Sequence, residues 1–363
     1  MLFRSTKLKH PSGFEFTTPL LVPSFSSKGF NQLVHGSGKH PNFHYKSGKE
    51  SRIRNIYNST REWLTDAILI SAYDVYHNHM PRLDAPPEHP ADFCSAELVF
   101  VDSGGYETSP MHDLSSAYAS AVTIRGWDVN KYRSVLDSWP PMPSSVFVSF
   151  DKGNEYCSVE EQILEAYDLF QDYEGCLSDF LLKPESNNQH YLDEAIEKLI
   201  LNIDLCTPFS IIGVTEKELG DKPVTRIKMI AKLRRALDRA GIEAPIHVFG
   251  ALDPVSSCAY FIAGAEIFDG LTWLRYSYDE SFDRCVYHSN NGWLNSGIDL
   301  PQERLEVTNM CQNTGYLIGL QRRLSNCVEM AKEDINEAIQ TLPHQHLLKQ
   351  VQTIVNGIER GDI

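Results

Sequence analysis

Leu98-Val99-Phe100-Val101-Asp102-Ser103-Gly104-Gly105-Tyr106 is a short apolar run that ends in a carboxylate and two glycines. Continuous apolar residues without polar alternation suit a strand buried on both faces, as in a parallel sheet. The acid and the Gly-Gly pair mark where strand gives way to loop. Seven further runs have the same character: Leu20–Ser24, Ala67–Ala72, Ser145–Asp151, Asp179–Lys183, Phe209–Val214, Ile246–Phe249 and Glu266–Leu271. Helical patterns separate them. Ser158 and Glu161 have capping-box spacing ahead of Ile163, Tyr167 and Phe170, and Leu192, Ile196, Leu199 and Ile203 share one face. Asp221 precedes a stripe of Ile227, Ile230, Leu233 and Leu237 that Gly241 ends. Eight strands alternating with helices predict an α/β fold, a (β/α)8 TIM barrel over residues 15–275, in preference to an open doubly wound sheet. Residues 276–300 read as an irregular or hairpin insertion after strand eight. Helices from about Gln312 to Gly357 are expected to pack on the barrel exterior, making 276–363 an appendage of a single domain spanning 1–363.

Bulk properties narrow the function. Apolar residues make up 42% of the 363 and charged residues 22%, which suits a globular protein with a full core. No run of eighteen apolar residues occurs, so no membrane partner is expected. Eight cysteines without regular close spacing read as reduced thiols, and the opening Met1-Leu2-Phe3-Arg4 lacks a secretory pattern, so a cytoplasmic location is expected. The net charge of −15 argues against non-specific coating of nucleic acid. Residues 1–61 nevertheless hold ten Lys/Arg against Glu15 and Glu50. Within them Lys39, Lys46, Lys49, Arg52 and Arg54 are interleaved with Phe43, His44 and Tyr45. Such a stretch can contact phosphates and stack on bases, or it can be a solvated loop.

A parallel barrel carries its chemistry at the C-terminal ends of its strands. Asp102, Asp151 and Asp269 each end an apolar run there. One such aspartate is as often a helix cap as a functional group, but three at one mouth suggest a site. Gly104 and Gly105 remove side-chain bulk where a flat ligand could approach, and Tyr106 could lie against it.

At this point the residues resemble the tRNA-guanine transglycosylases, over approximately residues 15–325. Asp102-Ser103-Gly104-Gly105-Tyr106 is the most specific match. Thr17-Thr18-Pro19-Leu20-Leu21-Val22-Pro23, Ile68-Leu69-Ile70-Ser71-Ala72-Tyr73 with His77, Phe150-Asp151, His247-Val248-Phe249-Gly250 with Asp253-Pro254, and Gly264-Ala265-Glu266-Ile267-Phe268-Asp269 follow in the family's order. The resemblance implies that Asp269 is the nucleophile at the sugar C1′ and that Asp102 is the general acid/base. It also implies that Asp151, with backbone around Gly220 or Gly250, binds the base edge on which Tyr106 stacks. The chemistry suits those residue types. Glycosidic cleavage passes through an oxocarbenium-like state that one carboxylate traps while a second carboxyl moves a proton. A third carboxylate can accept the two donors of a guanine edge, once the base is extruded from its stack.

The chain departs from the tRNA enzymes in three places. Their zinc-binding Cys-x-Cys-x-x-Cys cluster is missing, which leaves Cys285, His288, Cys311 and Cys327 as the residues that could form a structural zinc site. The segment after Asp269 is short, and Glu107 and Thr215 stand where that family carries glutamines at the base. These departures, with the run Gly213 to Gly220, resemble the DNA-guanine transglycosylase (DpdA-type) branch. That branch implies exchange of guanine for a 7-deazaguanine, such as 7-cyano-7-deazaguanine, in the DNA of bacteria or their phages. DNA is then the expected partner and tRNA the alternative, with a helper protein for duplex opening because no ATP-binding phosphate loop is visible. Arg275, next to Asp269, is the best-placed residue for a backbone phosphate. The remaining alternatives are a non-catalytic barrel subunit that binds nucleic acid and, more remotely, a barrel hydrolase with His77, His79 or His247 on a metal.

Overall fold

The computed structural model describes residues 3–30, 33–35, 49–80, 96–108, 125–141, 143–153, 155–186, 190–294 and 299–361. Eight parallel strands close into a barrel: β1 Leu20–Phe25, β2 Ala67–Ser71, β3 Leu98–Asp102, β4 Ser144–Val148, β5 Leu177–Leu181, β6 Ile211–Thr215, β7 Ile246–Phe249 and β8 Ile267–Gly270. Closure runs through β8 and β1, with Asp269 opposite Val22 and Gly270 opposite Pro23. This is the expected (β/α)8 architecture.

The period of two along each strand divides the apolar residues between two cores. Leu20, Val22, Leu69, Leu98, Phe100, Val146, Leu177, Leu181, Ile211, Phe249 and Ile267 cluster together inside the barrel. Leu8 and Phe16 join them from a hairpin of Lys7–Lys9 and Glu15–Thr17. The alternate residues, such as Leu21, Ile68, Val99, Phe147, Phe180, Ile212 and Phe268, belong to the larger core beneath the helices. The same parity that puts Phe100 inside also puts Asp102 inside, two residues later at the strand's end. It does likewise for Asp269 after Ile267 and for Asp179 between Leu177 and Leu181.

The surrounding helices include α1 Arg52–Thr60, α2 Val129–Asp137, α3 Val159–Gln171, α4 Asp193–Leu201, α5 Pro223–Arg239 and α6 Pro254–Ala263. Ser158 and Glu161 form the full capping box at the start of α3. Gly241, at φ +71°, follows α5 as expected. After β8, a hairpin pairs Ser277–Asp279 with Arg284–Val286. A short helix, His288–Leu294, then leads to three further helices, α7 Gln302–Ala331, α8 Ile335–Gln340 and α9 Gln345–Arg360, and α9 packs on α5 and α6. Among the described residues no helix is long and apolar enough to cross a membrane.

Several strand limits shift from the sequence reading. Strand four ends at Val148, although Ser149 still donates its N–H to the Asp179 carbonyl of the neighbouring strand. Strand five begins two residues earlier than the apolar run suggests and stops at Leu181, and strand six starts at Ile211. The outer core makes a direct test of the packing. Phe180 is fully buried and stacks on Phe209 with ring centroids 4.9 Å apart. Phe180→Ala should lower unfolding stability by about 3–5 kcal/mol in urea titrations; a loss below about 1 kcal/mol would contradict this packing.

Candidate active site

Asp269 is the most heavily held carboxylate at the upper end of the barrel. Its Oδ2 accepts the Ser24 hydroxyl at 2.7 Å, and its Oδ1 accepts the Gly250 N–H at 2.9 Å. Ser24 is itself fixed, since its Oγ accepts the Gly270 N–H at 3.0 Å and its carbonyl accepts the Trp273 indole N–H at 3.0 Å. Trp273 is fully buried against Phe25, so a packed aromatic pair anchors the hydroxyl that orients the acid. His247 adds a third neighbour, with Nε2 3.3 Å from Asp269 Oδ1. Its Nδ1 is 2.7 Å from Asp179 Oδ2. Burial opposes a charge on this ring, but the Asp179 and Asp269 carboxylates outweigh it and raise His247 to about 9.

Asp102 has the opposite environment. It is buried and receives the Gly104 N–H at 3.2 Å. Desolvation, then the neighbouring Glu107 carboxyl, push it up to about 8, and Asp269 and Asp151 add to the effect. Glu107 is buried beneath the loop, accepting hydroxyls from Ser26 and, at 2.7 Å, from Ser71. Burial raises Glu107 too, and raises the fully buried Asp74 well above the carboxylate range with Glu107 contributing. The proton carrier suggested by the sequence thus stands over two other reluctant acids.

The third aspartate lies in a charged wing of the mouth. Asp151 Oδ2 is 3.2 Å from Lys183 Nζ, which also meets Glu218 Oε1 at 2.7 Å. Its Oδ1 accepts the Gly153 N–H at 2.8 Å, and its own N–H donates to Ser103 Oγ at 3.0 Å. Burial alone would raise Asp151; Lys183 and the Gly153 N–H hold it below the ordinary range. Gly105 lies directly against it, where an added Cβ would come within 2.4 Å of Asp151 Oδ2. Gly104 has φ +87°, and a Cβ there would meet Tyr73 Cβ at 2.7 Å, so both glycines of the motif are required by space.

The remaining sequence candidates separate clearly. Tyr106 is half-buried, with Lys28 Nζ 4.2 Å from its ring centroid. Arg275, expected to contact a backbone phosphate beside Asp269, is buried and donates to the Tyr106 hydroxyl at 2.9 Å. Gly250 serves Asp269 rather than standing free, and the Gly220 carbonyl accepts from Arg226 at 2.7 Å. Thr215 ends β6 half-buried. Arg52 pairs with Glu306 at 2.7 Å, and Arg54 donates to the carbonyls of Asn78 and Met80. Lys39, Phe43, His44, Tyr45 and Lys46 lie outside the described residues, as does the side chain of Lys49.

Three of the four residues considered for zinc go to different partners. Cys285 donates to Asp253, Cys327 donates to the Ala338 carbonyl, and the His288 ring nitrogens face Ser277 Oγ and the Leu274 carbonyl. Among the described residues no group of three or more His, Cys, Asp or Glu is arranged to hold a metal ion.

Sequence reasoning passed over Lys28 and Asp74, noted Glu107 only as standing in place of a glutamine, and gave His247 a chemical role only as a metal ligand. Lys28 follows β1, donates to the Tyr106 carbonyl at 2.8 Å and is lowered to about 8, chiefly by burial. Its signal in the sequence was no more than a lysine shortly after a strand end. No protein-family model and no curated protein matches the chain.

The environment of Asp102 sets a pH dependence. A carboxyl raised from 3.8 to about 8 binds a proton in the folded chain that the unfolded chain has released. Its contribution therefore favours the fold below about pH 4 and is lost as pH rises toward 8. Asp102→Asn should remove a slope of up to about 1.4 kcal/mol per pH unit across that window, leaving the variant the more stable protein at pH 8. Urea titrations from pH 5 to 9 measure it, and parallel curves for the two proteins would refute the assignment.

Proposed function

We propose that the protein is a nucleic-acid guanine transglycosylase that exchanges guanine for a 7-deazaguanine base, such as 7-cyano-7-deazaguanine, in DNA. The supporting observation is the contrast between two carboxyls at one barrel mouth. Asp269 is oriented by a hydroxyl, a backbone N–H and His247, whereas Asp102 is raised to about 8 by burial and Glu107. Pairs of acids with divergent environments are how enzymes divide nucleophile from proton carrier. In this reading Asp269 attacks C1′ and forms the covalent intermediate, while Asp102 donates a proton to the departing guanine. Asp102 then takes the N9 proton of the incoming base as that nitrogen attacks C1′ and releases Asp269. Asp151 accepts donors of the base edge, and Tyr106 lies against the ring.

DNA is preferred to tRNA because the sequence lacks the tRNA enzymes' cysteine cluster, and Cys285, His288 and Cys327 have hydrogen-bond partners of their own. The test offers purified protein, labelled 7-cyano-7-deazaguanine and, separately, duplex DNA, single-stranded DNA or tRNA. Label should enter DNA, Asp269→Asn should abolish both exchange and the denaturant-stable adduct, and Asp102→Asn should slow exchange by ~10²–10⁴-fold. Label in tRNA alone would reverse the choice of polymer. Absence of label and adduct with all three would leave the non-catalytic barrel as the better account.

A further inference from the structure

Asp179 of β5 and His247 of β7 do not sit on adjacent strands: β6 lies between them. They meet because β6 presents Gly213 at the crossing. Gly213 pairs with His247 on one side and Leu181 on the other. A Cβ on Gly213 would come within 2.8 Å of Asp179 Oδ1 and 2.7 Å of Phe249 Cε2. The bare backbone lets the Asp179 carboxylate reach His247 Nδ1 at 2.7 Å, with both side chains fully buried. The faces of the imidazole carry no charge. Phe249 stacks on it at 3.8 Å between centroids, and Phe100 approaches edge-on at 5.3 Å. The charged groups at its nitrogens are Asp179 of β5 and Asp269 of β8, and Asp102 of β3 is the further carboxyl within electrostatic range of Asp269.

The two oxygens of Asp269 are therefore unequal. Oδ1 faces the Gly250 N–H and the His247 Nε2, whereas Oδ2 faces the single hydroxyl of Ser24. An oxygen that accepts a backbone N–H and faces a cation 3.3 Å away is the weaker nucleophile, and the same two groups stabilise a carbonyl oxygen.

We infer that His247, held by Asp179 across Gly213, is the positioning residue of Asp269, fixing Oδ1 as the carbonyl oxygen of the glycosyl ester and leaving Oδ2 to attack. This rests on the transglycosylase reading. In the forward step the Oδ2–C1′ bond forms as the C1′–N9 bond breaks. The electron pair departs with guanine, which takes its proton from Asp102. In the return step N9 of the incoming base attacks C1′, its proton passes to Asp102, and the C1′–Oδ2 pair returns to the carboxylate. When Asp269 is esterified its charge disappears, and the Asp179–His247 ion pair remains balanced by itself. A neutral histidine could not serve both carboxylates in this way, because it has one N–H to give.

The closing experiment has one arm that needs no substrate. Full-length protein labelled with ¹⁵N-histidine is followed by long-range ¹H–¹⁵N spectra from pH 5 to 10, with His247 assigned through His247→Gln. His247 should carry both ring protons at pH 7.5 and lose one near pH 9. Asp179→Asn, and Gly213→Val with its blocked crossing, should bring that loss down by at least about one pH unit. A His247 that is neutral at pH 7 overturns the proposal whatever the protein's activity.

The second arm follows single-turnover adduct formation with guanine-containing DNA. His247→Gln, which keeps an N–H donor but no charge, should slow adduct formation by ~10²-fold with little change in the DNA concentration giving half-maximal rate. Adduct formation at the wild-type rate in that variant overturns the role. Wild-type protein that forms no adduct on DNA or tRNA defeats the transglycosylase reading, and with it the assignment of Oδ2. The histidine spectra separate that outcome from failure of the Asp179–His247 pair.

Discussion

A closed eight-stranded barrel has one dry interior, and a charged group pointing into it must be compensated by inward-facing groups of other strands. The upper half of this barrel is organised by that constraint. Asp179 is compensated two strands away by His247, which requires β6 to surrender its side chain at Gly213. Asp269 finds Ser24 on β1 and Gly250 just past β7, so the acid that ends the last strand is oriented by the first and the seventh. The barrel's closure is thus also the closure of the site. A sheet left open between β8 and β1 would leave Asp269 without the Ser24 hydroxyl.

Compensation is deliberately incomplete on the β3 side of the mouth. Asp102 receives one long backbone hydrogen bond and faces Glu107, another buried acid. Two carboxyls in one desolvated place favour retention of a proton. Across the mouth, Lys183 bridges Asp151 and Glu218 and helps hold Asp151 below the ordinary carboxylate range. One barrel mouth therefore holds a proton-retaining side and a salt-bridged side, which meet where Gly105 approaches Asp151.

The strand ends were legible in the sequence because apolar runs stopping in Asp102 and Asp269 set both fold and parity. Once a strand is known to be buried, a residue two places after Phe100 or Ile267 must face the same interior. What stayed hidden was cross-barrel geometry. Asp179 reads as the start of a strand because Phe180-Leu181-Leu182 follow it, yet it sits mid-strand in β5. Its partner His247 is 68 residues away. Their meeting depends on the stagger of three strands and one missing side chain, which linear spacing does not encode. Arg275 shows the same limit, since a cation shortly after Asp269 suggests a phosphate contact, and linear spacing does not show that its guanidinium donates to the Tyr106 hydroxyl. Glu107 was noticed only as a substitution for a glutamine. Its depth follows from the helical turn Gly105–Thr108, which points it down toward Ser26 and Ser71.

That depth bears on how the proton moves during base exchange under the proposed reading. After guanine departs with its proton, Asp102 is left ionised above Glu107 in a desolvated site. A carboxylate raised to about 8 is a far stronger base than an ordinary aspartate, and it matches proton transfer near neutral pH. The incoming 7-deazaguanine brings the proton that relieves this state, and the bond to C1′ forms as the proton leaves N9. Asp151 stays outside that traffic, because Lys183 and the Gly153 N–H keep it an acceptor throughout. The acid that reads the base and the acid that moves the proton can then lie at one mouth without exchanging roles, since their electrostatic partners come from different strands.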